Sequence, residues 1–191
     1  KKRNLEFYKE QLGLDKFYPI ITTHGLLNIN KNIDKIIDSF KAIKKIYPNA
    51  LLLVLTAVSP NNIFAGGLYK ELKEKISNFG LDNSVIFIKD FLDAKFIELY
   101  LQLSDVLVFF YIEFGESASG AVRRGIAAQK PVIVSNIPTF KEFDNELIKV
   151  SDPNEIAPAV SNLLNSPESI EKLQKAQKLF MENNSIFKTI V

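Results

Sequence analysis

Apolar residues fall along this chain in two alternating patterns: short unbroken runs, and longer stretches of helical period. The runs are residues 20–23 (IITT), 50–57 (ALLLVLTA), 85–88 (VIFI), 106–111 (VLVFFY), 131–134 (PVIV) and 147–150 (LIKV). Runs this short, rich in β-branched residues and bounded by Gly, Pro or polar clusters, predict strands, the continuous ones buried on both faces. Between the runs, Ile33, Ile36, Ile37, Phe40, Ile43 and Ile46 mark a helical stripe that starts at about Lys31 and stops at Pro48. Leu68, Leu72, Ile76 and Phe79 mark a second helix, after a loop rich in Asn, Pro and Gly that runs to Gly67, and Gly80 ends it. Phe96, Ile97, Tyr100 and Leu103 mark a third, capped by Asp93. Two further helices are predicted at about 154–165 and 169–183, while residues 1–15, polar with scattered Leu5, Tyr8 and Leu12, read as a short helix or linker. Strict alternation predicts a doubly wound α/β fold: a parallel sheet of about six strands, helices on both faces, with 20–23, 50–57, 106–110 and 131–134 central. The chain shows neither an internal repeat nor a low-complexity tract.

The chain is organised around residues 104–140, where a strand ends in the acidic turn Glu113-Phe114-Gly115-Glu116, followed by small residues, a short helix and another strand. Loops at the carboxyl ends of parallel strands are where open α/β sheets bind ligands. Ser117 or Ser119 can cap the helix, Gly120 lets backbone pass close to a ligand, and free amides at a helix start favour phosphate. Glu116 would repel phosphate but suits paired sugar or ribose hydroxyls; the alternative is a capped turn with a solvated glutamate. In the helix, Ala121, Gly125 and Ala128 share one side and predict close packing on the sheet, with Val122 and Ile126 adjoining that side. Arg124, one turn beyond Gly120, can point back at the loop, whereas Arg123 points more to solvent. The loop His24-Gly25-Leu26-Leu27-Asn28-Ile29-Asn30-Lys31 is a second candidate. A lysine opening a helix is unfavourable against the dipole unless an anion sits between them; the alternative is an ordinary surface lysine. His24 reads as a strand-end residue with a satisfied hydrogen bond rather than a catalyst. Asp90 and Phe91 end another strand on the same edge and could hold a planar base, or Phe91 could be plain core.

Composition narrows these options. Of 191 residues none is cysteine and one is histidine, which excludes disulfides and thiolate metal sites and disfavours zinc. A net charge of +2, with no basic patch interleaved with aromatics, gives no ground for nucleic acid. No apolar run approaches the roughly 18 residues of a membrane span, and no signal peptide is visible. The opening at Lys1 without Met leads us to expect a fragment of a longer, cytoplasmic protein.

Gly25 with Lys31 beyond it, Glu116-Ser117-Ala118-Ser119-Gly120-Ala121-Val122-Arg123, and Pro131-Val132-Ile133-Val134-Ser135 at fifteen residues from Glu116 together resemble the C-terminal, donor-binding domain of family 4 (group 1) glycosyltransferases of the GT-B fold. The resemblance covers residues 20–191. It implies a Rossmann-like half of a GT-B enzyme: residues 1–18 a linker or residual helix, 19–183 the nucleotide-sugar-binding domain, and 184–191 a tail starting a helix back to a missing N-terminal domain. It further implies a retaining, hexosyltransferase-type enzyme of polysaccharide biosynthesis. Such an enzyme transfers a sugar from a nucleoside-diphosphate donor to a surface glycan or glycolipid, without a metal. Carried over, Lys31 neutralises the diphosphate and Glu116 binds sugar hydroxyls, both as catalytic residues. Gly25, Leu26, Asp90, Phe91, Ser117, Ala118, Ser119, Gly120 and Arg124 complete the donor site. Two positions depart from the family: its phosphate-binding Arg aligns with Leu26, and its ribose-holding second Glu aligns with Arg124. Gln129-Lys130 also replaces the family's Gly before Pro131. Arg124 thereby becomes a candidate to take over charge neutralisation. The implied partners are the missing domain, the nucleotide-sugar and the acceptor, with peripheral association at the inner membrane face through the missing domain. The isolated chain is then expected to be inactive. Two other readings stay open: a non-catalytic interaction domain (a degenerate glycosyltransferase), and a nucleotide-sugar epimerase of the same fold, which needs carboxylates and histidines not found here.

Overall fold

The structure, a computed structural model, describes residues 2–57, 63–89, 91–113 and 119–184. Its elements run α1 (Lys2–Gln11), β1 (Ile20–Leu26), α2 (Ile33–Ile46), β2 (Leu51–Ala57), α3 (Ile63–Asn78), β3 (Val85–Ile88), α4 (Ala94–Leu103), β4 (Val106–Phe109), α5 (Gly120–Ala127), β5 (Val132–Ser135), β6 (Ile148–Val150), α6 (Ile156–Leu164) and α7 (Pro167–Asn183). The six strands form one sheet in the order β3-β2-β1-β4-β5-β6, every neighbouring pair parallel. The four predicted central runs are the four central strands.

The alternation of side chains along each strand divides the core. Ile21, Leu52, Val54, Val106, Val108 and Ile133 cluster with Ile36, Ile37 and Phe40 of α2, Ile76 of α3 and Val160 of α6. On the opposite face Ile20, Leu51, Leu53 and Leu55 cluster with Leu14 and Leu103. Further along that face Leu107, Phe109, Val132 and Val134 cluster with Val122 and Ile126 of α5. Residues of β1, β2, β4 and β5 thus lie on both sides of one sheet, which is why they read as unbroken apolar runs.

Four local expectations need correction. Ile46, expected in the buried stripe of α2, is 56% exposed at the end of the helix, beyond the reach of the core. The helix expected after Gly67 begins at Ile63, so Gly66 and Gly67 lie inside α3. Two interior glycines cost about 1 kcal/mol each, and burial of Ala65, 1% exposed, in the α2–α3 core favours the added turn. Lys31 does not open α2; it ends a 3-10 turn, Ile29–Lys31, and Asn32 (φ 51°) caps α2. The buried stripe of α5 is Val122, Gly125 and Ile126, while Ala121 and Ala128 are only half-buried, because the larger apolar side chains claim the sheet.

Gly125 is where α5 comes closest. A Cβ there would stand 3.0 Å from Leu107 Cδ1, 3.3 Å from Phe109 Cε2 and 3.4 Å from Val132 Cγ2. Gly125→Val is therefore expected to destabilise the chain by about 1–3 kcal/mol, the usual cost of overpacking, measurable by urea denaturation; an unchanged midpoint would show that α5 can lift freely. After α5, Gln129 itself adopts φ 54°, and α7 secures this turn: Gln174 Nε2 donates to Gln129 O at 3.0 Å and Gln177 Nε2 to Lys130 O at 2.8 Å. The turn is made without glycine.

Candidate functional site

From β1 the chain first moves outward through β2 to β3, then crosses back to place β4 on the other side of β1. Ligands of open α/β sheets bind where the winding reverses in this way. β1 and β2 stay paired over seven residues, but β1 and β4 over only two, Ile21↔Val106 and Thr22↔Leu107. The strands therefore part toward their carboxyl ends, and a cleft of about 410 Å³ opens there. It is built from the end of β1 with its following turn, the end of β2, Phe91 and Leu92 after β3, and the first turn of α5.

The β1 side is shaped by Gly25, whose φ of +149° strains any other residue. Leu26 is half-exposed at the cleft. The 3-10 turn then brings Lys31 back to the cleft, its Nζ 3.9 Å from the centroid of the Tyr111 ring. His24 also lines the cleft. Its Nδ1–H donates to Leu55 O at 3.3 Å, the satisfied bond expected from sequence, and this leaves Nε2 as an acceptor. Burial lowers its pKa, the Leu55 bond partly opposes that, and the nearby charge of Arg124 lowers it further. Burial and the Arg124 charge thus both favour the neutral imidazole.

On the α5 side Ser119 is the helix cap: its Oγ accepts from Val122 N–H at 3.4 Å. Gly120 has open space beyond its Cα. The amides of the first turn have no acceptor inside their own helix, and Gly120 and Ala121 of that turn line the cleft. The two arginines divide. Arg123 binds Glu142 at 2.5 Å and lies over Phe143 and Phe180, away from the cleft. Arg124 is exposed, lines the cleft and makes no ion pair with a described residue. Glu113 serves structure: its carboxylate accepts from Thr139 N–H at 3.4 Å and from Thr139 Oγ1 at 3.3 Å, tying the end of the β4 segment to the turn after β5.

The cleft thus gathers Gly25, Leu26, Lys31, Phe91, Ser119, Gly120 and Arg124 from the sequence expectations. Phe91, 67% exposed, is not core. Asp90, Glu116, Ser117 and Ala118 lie outside the described residues. Among the described lining residues no side chain is a carboxylate; Lys31 and Arg124 carry positive charge and the rest are neutral. Two buried oxygens at the same cleft, Thr56 Oγ1 and Asn28 Oδ1, have no hydrogen-bond partner among the described residues. Unsatisfied buried polar atoms are uncommon and call for an explanation; a ligand offering donors would supply one. Sequence reasoning included Asn28 only within its second candidate loop and missed Thr56, although a single hydroxyl near the end of the apolar run of β2 was a visible signal. No group of three or more His, Asp or Glu among the described residues is placed to hold a metal.

Comparison with known proteins gives the following. The family profile described as "Glycosyl transferases group 1" matches residues 4–180. No curated protein matches the chain. Among solved structures, Anabaena Alr3699/HepE in complex with UDP superposes with a TM-score of 0.82 at 15% identity, over 100% of this chain and 53% of that one. A glycosyltransferase from Rickettsia africae gives 0.80 at 20% identity, over 96% and 48%. The C-terminal domain of the group 1 glycosyl transferase LpcC from Francisella tularensis gives 0.75 at 20% identity, over 93% and 91%. The chain therefore spans about half of the two longer proteins and nearly all of the isolated domain. At these identities the likeness shows the fold, one Rossmann-like half of GT-B.

Proposed function

Because the chain belongs to the group 1 glycosyltransferases, we propose that its cleft binds the nucleoside-diphosphate sugar of a retaining transfer to a surface glycan or glycolipid. The observation that carries this reading is the charge of the cleft. At the switch point of the sheet it holds Lys31, Arg124 and the first-turn amides of α5, with no carboxylate among its described lining residues. Such a wall suits a diphosphate, whose negative charge grows as the sugar departs; fixed cations and amides stabilise that charge without reorganising. Phe91 offers an exposed aromatic face for a base. Thr56 Oγ1, Asn28 Oδ1 and His24 Nε2 offer acceptors for hydroxyls. Glu116, four residues before α5 in the sequence, is the proposed partner of the transferred sugar.

UDP is the first diphosphate to try, since HepE was crystallised with UDP and UDP-glucose. One wall of a cleft buries only part of a ligand, whereas closed sites bury most of it. The chain alone is therefore expected to bind UDP, GDP or dTDP with a Kd in the range of about 0.1–10 mM, as a weak site should, and to transfer no sugar. Calorimetry with the three diphosphates and their nucleosides, alongside a donor-consumption assay, tests both statements. Failure to bind any diphosphate would favour a non-catalytic domain, and sugar transfer at an enzymatic rate would end the half-enzyme view.

A further inference from the structure

We propose that Tyr111 is a positioning residue for Lys31, its ring face setting where the lysine ammonium stands in the cleft. That Lys31 meets a diphosphate rests on the function proposed above; that Tyr111 places its ammonium does not. Tyr111 follows β4 and is 4% exposed. Its backbone N–H donates to Ser135 Oγ, at the end of β5, at 3.0 Å. Its ring meets Phe109 edge-on, centroids 6.1 Å apart at 81°, and Phe140 at 5.7 Å and 49°. The ring is thus locked from beneath by the core of the α5 face.

Lys31 reaches this ring from the other side of the switch point. A Cβ on Gly25 would lie 3.8 Å from Lys31 Cε and 3.9 Å from Tyr111 Oη, so the end of the lysine stem, Gly25 and the phenol are immediate neighbours. Ile112 N–H donates to Asn30 O at 2.9 Å, joining the residue after Tyr111 to the residue before Lys31. The two segments cannot drift apart without breaking that bond. Lysine and ring are fixed relative to each other by backbone as well as by the 3.9 Å contact.

The chemistry of the pair explains its use. An aromatic face attracts an ammonium through its quadrupole but carries no net charge. Tyr111 therefore restricts the lysine without neutralising it. A free lysine must give up rotamer freedom when it meets an anion; one already ordered loses less, which is preorganisation.

The test uses the 191-residue chain with Tyr111→Phe, Tyr111→Leu, Lys31→Ala and the Lys31→Ala/Tyr111→Leu double variant. By NMR the Lys31 ε-methylene protons are expected upfield, shifted by the ring current, in the parent and in Tyr111→Phe, and at their random-coil position in Tyr111→Leu. By calorimetry Tyr111→Leu is expected to weaken UDP about 5- to 10-fold, an effect within the usual range of a cation–π contact, and to leave uridine unchanged. In the Lys31→Ala background the same substitution should cost UDP nothing further, since coupled residues lose their interaction only once. A parent ε-methylene at the random-coil position overturns the proposal without any variant. So does an equal UDP loss from Tyr111→Leu in both backgrounds, which would make Tyr111 a core residue only. If no variant nor the parent binds UDP, the donor-binding function fails, and the ring-current shift still decides whether Tyr111 places Lys31.

Discussion

Replacing Lys31 with alanine is expected to weaken diphosphate binding about 10- to 150-fold while leaving the nucleoside unchanged. The factor corresponds to about 1.5–3 kcal/mol for a charge-assisted contact, at roughly 1.4 kcal/mol per tenfold. Lys31 stands at the end of the 3-10 turn after β1, half-buried, with its ammonium on the Tyr111 face. Arg124 is the other full cation on the described cleft wall, so removing Lys31 takes away half of the fixed positive charge there. An ordinary surface lysine would change stability by no more than about 0.5 kcal/mol and binding not at all. Calorimetry with UDP and uridine separates the cases. Equal weakening of both ligands would mean that the β1 loop had collapsed, and no weakening of either would place the diphosphate elsewhere.

The layered fold was legible in the sequence because burial on both faces removes the polar half of a strand pattern, leaving runs such as ALLLVLTA that nothing but a central strand explains. The stripe from Ile33 to Ile46 was legible because α2 buries one face: Ile33, Ile36, Ile37, Phe40 and Ile43 meet one core cluster, while Ile46, at the last position of the helix, is exposed. What failed were boundaries and pairings decided by tertiary contacts. Gly66 and Gly67 argued locally for a loop, yet packing of Ala65 draws them into α3. In α5 the small residues suggested one buried side, but volume decides which side packs, and Val122 and Ile126 outweigh Ala121 and Ala128. The site was legible as loops and less so as contacts. Lys31 and Arg124 were found from their positions after strands, whereas the Lys31–Tyr111 pair spans eighty residues and leaves no local spacing to detect. Leu26, read as a lost cation, is a half-exposed apolar rim, and among the described cleft residues contributed by β1 and its following turn Lys31 is the one cation.

Arg124→Glu is the second substitution expected to have a large effect, and it asks what replaced the missing cation. Arg124 lies one turn into α5, on the same cleft as Lys31, while its neighbour Arg123 is engaged by Glu142, Phe143 and Phe180. We propose that Arg124 meets the diphosphate or an anionic donor sugar from the side opposite Lys31. Reversal removes one attraction and adds a repulsion, so UDP should weaken by more than the tenfold lower bound set for losing a charged contact, about 1.5 kcal/mol, with Arg124→Gln intermediate. Stability should stay within about 0.5 kcal/mol of the parent, as for exposed positions without partners. A readout free of ligand checks the placement: Arg124 contributes to the lowered pKa of His24, behind burial, so a carboxylate there should raise the His24 pKa in an NMR titration. A rise in the His24 pKa with unchanged UDP affinity would put Arg124 beside the cleft but outside the bound diphosphate. Tighter binding in Arg124→Glu would go further, showing that this position faces ribose hydroxyls, which a carboxylate accepts in pairs, and the compensation by Arg124 would be refuted.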